Sequence, residues 1–297
     1  VQILQHFQWP AGHELTRLFH GRGAQFLDYR FINVDWLSPA ALIILYSEVE
    51  RDWLLELATA VKARLGDDCQ SVQVQYRNRH MAPYELLLGE QLDEVIAQEA
   101  GLKYQLRLGR NQNYGLFLDM ANGREWVAQH ANNANVLNLF AYTCGFSVAA
   151  VAGGARQVVN VDMSKSSLGT GRDNHRLNQH DMTKVKFLGH DIFKSWGKLK
   201  KLGPYDLLIA DPPSLQKGSV NIVRDYPKIM RRLSELVSAQ GHALLCLNSP
   251  DLDVAFITQA MAEHAPDFSF VQQLQPSDIF INREPDKGLK VLLYRHG

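Results

Sequence analysis

Three aspartates, Asp162, Asp191 and Asp211, stand at or just past the ends of short apolar runs. A carboxylate there can accept hydrogen bonds from a ligand's hydroxyl or amino groups. The first run, Asn135 to Thr143, leads into Thr143-Cys144-Gly145-Phe146-Ser147 and then into a small-residue stretch, Val148 to Gly154. That order reads as strand, tight turn and helix. A second run, Gln157-Val158-Val159-Asn160-Val161, delivers Asp162. In a doubly wound sheet, the first turn lets backbone N–H groups approach a ligand at a helix N-terminus. An acid at the tip of the next strand then accepts from ribose hydroxyls. The pattern points to a nucleoside ligand.

The turn narrows the choice. A dinucleotide fingerprint needs three glycines spaced so that a pyrophosphate can sit on the helix, and here Gly145 stands alone. A ribose acid with a glycine-poor turn suits S-adenosylmethionine, whose sulfonium is positive and which carries no phosphate. The competing structural role for Asp162 is a cap on the helix that begins near Ser164. Asn113-Tyr114-Gly115 precedes the core and is expected to line the same site, because glycine permits close backbone approach. Asp119 and Arg124 follow as site candidates, or as an ion pair that anchors the helix begun near Gly123.

The elements that must position these residues form two groups. With 297 residues, 46% of them hydrophobic, the chain is long enough for a catalytic domain and a smaller one. Residues 1–24, with His6, His13, Arg17 and His20, are expected to form an arm in which His13, Arg17 and His20 share a helical face. Residues 25–110 read as a small α+β domain. Its strands are expected over Phe26–Val34, Ala41–Tyr46, Val72–Tyr76 and Tyr84–Leu88, its helix over Glu50–Leu65, and a hairpin about Gly101. Residues 111–297 then alternate strand and helix, with seven strands, a helix from Ile192 to Lys201 and one near Asn221 to Ser238. The fold class is α/β, a Rossmann-like sheet behind a small N-terminal α+β domain.

No run approaches the roughly 18 apolar residues of a membrane span, so a soluble cytoplasmic protein without a membrane partner is expected. Cys69, Cys144 and Cys246 fit neither a metal pattern nor a disulfide framework. The first residue is Val1, which suggests a fragment or a processed chain. The formal net charge is zero, but residues 135–297 hold 19 Lys+Arg against 15 Asp+Glu, and residues 1–134 hold 12 against 16. That surplus is compatible with a nucleic-acid partner.

Several segments together resemble the bacterial large-subunit ribosomal RNA methyltransferases, a group with class I S-adenosylmethionine-dependent folds. They are Gly115-Leu116-Phe117-Leu118-Asp119, Asn138 to Thr143, Gly153-Gly154-Ala155, Val161-Asp162-Met163-Ser164, Asn174 to Asn178 and Asp211-Pro212-Pro213. The group includes cytosine carbon-5 enzymes and the guanine N7 domain of a fused two-activity enzyme, and the similarity covers roughly residues 70–297. It implies S-adenosyl-L-methionine as cofactor, and ribosomal RNA or a ribosomal precursor particle as partner. Whether the chain is a monomer or a homodimer stays open. By resemblance, Asn138, Phe140, Ala141, Tyr142, Thr143 and Gly145 wall the methionine end, Asp162 holds the ribose, and Met163, Ser164 and Asn178 also bind the cofactor. Asp191 and Ile192 take the adenine, and Asp211 with Pro212 faces the methyl group and the target base. Asp191 also has a competing role as a cap ahead of Ile192.

The chemistry turns on one position. Cytosine carbon 5 is a poor nucleophile and needs a covalent adduct from an enzyme thiol. In the matching segment, Cys246-Leu247-Asn248-Ser249-Pro250, Ser249 takes the thiol's place and Cys246 falls within the strand. Guanine N7 has an available lone pair and needs alignment more than a base, so direct transfer to guanine N7 is the favoured reading. Exocyclic amines, cytosine carbon 5, and a non-catalytic RNA-binding protein on the same fold are the alternatives.

Overall fold

The computed structural model describes residues 1–213 and 220–297, so Ser214 and Leu215 of the Asp211 turn lie outside the described residues. The chain divides into two compact units. One comprises residues 1–118 with 277–284, the other residues 119–276 with 285–297. No helix among the described residues is long and apolar enough to cross a membrane.

In the first unit, β1 (Thr16–His20), β2 (Ile32–Leu37), β3 (Ala40–Leu45), β4 (Ser71–Tyr76) and β5 (Tyr84–Gly89) form one sheet in that order. Helix α1 (Arg51–Leu65) buries Leu54, Leu57 and Val61 against Val34, Trp36, Ile43 and Val74. The expected arm is therefore part of this sheet. Pairing of β1 with β2 satisfies its backbone, Leu18 and Phe19 enter the core, and Arg17 donates to both oxygens of the buried Asp35 at 2.6 and 3.2 Å. The helical face expected of His13, Arg17 and His20 does not form. The strand expected from Phe26 begins only at Ile32, because Leu27–Tyr29 makes a 3-10 turn that lets Phe26 and Tyr29 pack on the core from outside the sheet. The hairpin is β6 (Glu94–Glu99) with β7 (Leu102–Arg107), turning through Ala100 and Gly101, both left-handed.

The second unit is built on β8 (Asn135–Leu139), β9 (Gln157–Val161), β10 (Val185–Leu188), β11 (Tyr205–Ala210), β12 (Val237–Leu247), β13 (Phe268–Leu274) and β14 (Lys290–His296). Their spatial order is β10-β9-β8-β11-β12-β14-β13, with β14 antiparallel to both neighbours and the five strands from β10 to β12 parallel. The chain winds outward from β8 in one direction and then from β11 in the other. The carboxyl ends of β8 and β11 thus flank the switch point at which such sheets bind ligands.

Helices α2 (Ala121–His130), α3 (Gly145–Ala152) and α4 (Lys165–Leu177) precede α5 (Trp196–Leu202), α6 (Ile222–Met230), α7 (Leu233–Leu236) and α8 (Val254–His264). Leu137, Val159, Leu208 and Leu245 face the α5–α8 side, while Val136, Val158, Ile209 and Leu244 face Trp126, Val127 and Phe146. Burial on both faces explains why these strands read as continuous apolar runs.

Two expected helices are divided. Asp191 caps a 3-10 turn, Ile192–Lys194, and Ser195 Oγ donates to Asp191 O at 2.7 Å, so α5 starts only at Trp196. The helix expected to reach Ser238 ends at Leu236, because Val237 already pairs with Tyr205 in the sheet. Close packing of α3 on α2 requires Gly153, where an added Cβ would stand 2.0 Å from Ala128 O. Gly153→Ala is expected to cost about 1–3 kcal/mol by overpacking, read as a lower melting temperature with the cofactor absent.

Candidate active site

The loop leaving β8 has a demanding backbone. Phe140, Tyr142 and Cys144 all have positive φ, 56°, 47° and 64°, whereas Gly145 opens α3. Left-handed conformations at non-glycine residues each cost on the order of 1–3 kcal/mol and persist only when neighbours enforce them. The enforcing contacts are specific. Ala141 N donates to Val161 O at 3.1 Å, Tyr142 N to Asp162 Oδ2 at 2.8 Å, and Asn174 Nδ2 to Thr143 O at 2.9 Å. Gly171 of α4 leaves room for Cys144, since a Cβ there would lie 2.4 Å from Cys144 Sγ. Burial, with the nearby Asp162 charge, raises the Cys144 thiol far above its ordinary value, so it is an inert packing group.

Asp162 is half-buried, and its other oxygen accepts from Ser164 N at 2.7 Å. Each oxygen thus accepts one backbone N–H and keeps a second lone pair for a ligand hydroxyl. The capping role belongs instead to Ser164, whose Oγ accepts from Ser167 N at the start of α4. Met163 is exposed beside them. Asp191 is a cap in part, with Oδ1 accepting from Phe193 N at 2.9 Å and Lys194 Nζ 3.6 Å from Oδ2. Ile192 is buried in the core below it.

Two expected residues are placed elsewhere. Asn138 is enclosed in the sheet, where its Nδ2 donates to Asn160 Oδ1 at 2.9 Å across the β8–β9 register. Asn178 follows the C-terminus of α4 and donates to Asn174 O at 2.8 Å. At 1.5 Å per residue it lies about 20 Å along the helix from Ser164, too far to share the Asp162 edge. Tyr114 belongs to the first unit, where its buried hydroxyl donates to Asp35 Oδ2 at 3.0 Å.

Asp211 directly follows β11 and precedes the buried Pro212. Enclosure by protein pushes its carboxyl from 3.8 up to about 7; the negative charge of Asp119 adds to the effect, and Arg124, almost fully buried on α2, offsets part of it. Asp119 and Arg124 therefore both act on Asp211. Among the described residues, burial and a second acid outweigh the one cation acting on Asp211, and a carboxylate so placed suits a cationic ligand. On the opposite helix layer, Tyr226 of α6 places its hydroxyl 3.1 Å from Ala210 O and 2.9 Å from Cys246 O, holding the ends of β11 and β12 together.

Cys246 points into the core beside Leu244, fully buried, and burial with the Asp211 and Asp119 charges raises its thiol well above the usual value. Ser249 lies just past β12, its carbonyl accepting from Lys290 Nζ at 2.7 Å. Lys290, almost fully buried, also donates to Leu252 O at 2.7 Å and Asp286 O at 2.5 Å, and so clamps the segment after β12. Sequence reasoning missed this clamp, for which a lysine opening an apolar strand was the available signal. It also missed the buried chain in which Asn160 Nδ2 donates to Ser147 Oγ, which in turn lies 2.9 Å from His175 Nε2. The asparagines set into the apolar runs of β8 and β9 were its signal.

The ribosomal RNA large subunit methyltransferase I of Aeromonas salmonicida is 30% identical over 179 residues, 59% of this chain and 45% of the relative. The ribosomal RNA large subunit methyltransferase K/L of a Shewanella strain is 30% identical over 233 residues, 75% of this chain and 32% of the relative. The chain thus spans under half the length of these relatives. Among solved structures, a candidate S-adenosylmethionine-dependent methyltransferase from Streptococcus mutans superposes with a TM-score of 0.83 at 25% identity, covering 95% of this chain and 75% of that one. The profile of the S-adenosylmethionine-dependent methyltransferases matches residues 16–295. With the β8–β11 switch point, the Asp162 acceptor and this match across nearly its whole length, the chain belongs to the S-adenosylmethionine-dependent methyltransferase family.

Proposed function

We propose that this chain methylates a base of large-subunit ribosomal RNA in the bacterial cytoplasm, at guanine N7, by direct transfer without a covalent enzyme–base adduct. The observation that carries the direct route is Cys246, which is fully buried among the apolar residues behind the carboxyl edge of the sheet. A thiol with its ionisation suppressed by burial is not an available nucleophile. The ribosomal RNA substrate draws support from the two bacterial relatives, and the K/L relative aligns over the larger share of this chain.

In this reading the cofactor supplies an electrophilic methyl group, and the residues of the chain bind and orient. Asp162 accepts from the ribose hydroxyls, and Asp191 uses its remaining acceptor capacity for the adenine amino group. Asp211 and Pro212 position the target base in line with the methyl. Guanine N7 loses no proton on attack, so the site needs alignment and complementary charge rather than a strong base.

An exocyclic amine as target is the second reading, favoured by the Asp211 carboxyl, whose pKa of about 7 suits proton acceptance near neutrality.

Cys246→Ala is expected to retain methyl incorporation into ribosomal RNA within about twofold, with a stability loss of about 1 kcal/mol from the small cavity. Loss of activity in a folded Cys246→Ala protein, or a 5-fluorocytosine adduct trapped on Cys246, would overturn the non-covalent route.

A further inference from the structure

The parallel sheet ends at β10, and the chain around that edge concentrates one sign of charge. Residues 184–201 hold six lysines, Lys184, Lys186, Lys194, Lys198, Lys200 and Lys201, against one acid, Asp191, in a chain of zero formal net charge. Two of the six have an acidic group within salt-bridge distance among the described residues. Lys194 lies 3.6 Å from Asp191 and Lys200 3.7 Å from Glu235, with their side chains 85% and 62% exposed. Pairs so exposed neutralise little of the field.

The charge continues towards the cofactor edge. The stem of Lys165, at the start of α4, lies over the loop between β10 and Asp191, since a Cβ added at Gly189 would stand 3.0 Å from Lys165 Cγ. Lys198 Nζ is 3.5 Å from His190 Nε2 on the same loop.

Protection of an exposed strand edge against pairing accounts for Lys186, which sits on β10 itself. It does not account for Lys198 and Lys201. These lie on α5, which turns Leu199 into the core and leaves both lysines exposed, three residues apart. Lysines are compact point charges that bind phosphates without reading sequence, and several along one edge match the regular charge of a nucleic-acid backbone.

We infer that the β10–α5 edge is the surface that holds the phosphate backbone of the substrate RNA. This rests on the reading of ribosomal RNA as substrate. The edge then contributes affinity and orientation, while the base is selected at Asp211.

The test compares K186E/K198E/K201E with K186R/K198R/K201R and the unmodified protein. Binding to a large-subunit ribosomal RNA transcript is measured by anisotropy at several salt concentrations, alongside steady-state methylation and S-adenosylmethionine titration. For the glutamate variant, the slope of log affinity against log salt is expected to fall by about two to three, at roughly 0.7–0.9 per phosphate contact. Its KM for RNA should rise at least tenfold, with kcat and cofactor affinity kept, and the arginine variant should behave as the unmodified protein. A glutamate variant that methylates the RNA with an unchanged KM and salt slope would overturn the inference. Should the unmodified protein neither bind nor methylate the RNA, the substrate reading itself fails, an outcome distinct from an unaltered variant.

Discussion

Asp211→Asn is expected to lower methyl transfer about 100-fold while making the cofactor-free protein more stable at pH 8. Both effects follow from one displaced ionisation, the carboxyl raised from 3.8 to about 7 by enclosure and by the charge of Asp119. The sign follows from where the proton is held. Between pH 3.8 and 7 an unfolded chain releases this proton while the fold keeps it. The stabilising contribution is therefore complete below about pH 4 and is lost as pH rises through 7. The gap corresponds to at most about 4 kcal/mol, and partial exposure reduces that to about 1–3 kcal/mol.

An amide removes the cost of the buried charge but cannot supply the anion facing the sulfonium and the target base. Removal of one such preorganised group costs on the order of 10²–10³ in turnover. The kcat/KM of the unmodified enzyme should rise with pH through about 7 in the cofactor-free form, a limb that Asp211→Asn abolishes. Thermal melts at pH 5 and pH 8, with single-turnover rates, check both halves. A variant no more stable at pH 8, or one with full turnover, removes Asp211 from the role assigned to it.

Asp162→Ala should weaken S-adenosylmethionine binding about 5- to 150-fold, or 1–3 kcal/mol, the range for buried donors left without acceptors. The carboxylate accepts from Tyr142 N and Ser164 N and so fixes the left-handed Phe140-to-Cys144 loop as well as the ribose position. Part of the loss should therefore appear as disorder of the loop, with faster amide exchange at residues 140–144. Isothermal titration gives the affinity, and an unchanged value in a folded Asp162→Ala protein takes the residue out of the site.

Much of the second unit was legible because its strands are buried on both faces and alternate with helices. Apolar runs bounded by Gly, Pro and polar turns gave the seven strands, and Asp162 and Asp211 stand just past the carboxyl ends of β9 and β11 as their runs suggested. What stayed hidden depends on tertiary contacts. Positive φ at Phe140, Tyr142 and Cys144 is imposed by Asp162, Asn174 and Gly171, and none of the three has an intrinsic preference that announces it. Thr16–His20 becomes a strand only because Ile32–Leu37 lies ready to pair with it, which outweighs the helical spacing of His13, Arg17 and His20. Asn178 looked like a ligand by motif, yet the helical rise carries it away from the edge. The pKa of Asp211 depends on Asp119 and Arg124, about 90 residues earlier in the chain, and spacing alone could not show that they converge.

The most direct test of the account is nucleoside mass spectrometry of large-subunit ribosomal RNA after incubation with the protein and methyl-labelled S-adenosylmethionine. The account predicts label in 7-methylguanosine, with Cys246→Ala giving the same product in the same yield. Label in 5-methylcytidine, lost in Cys246→Ala, would contradict it.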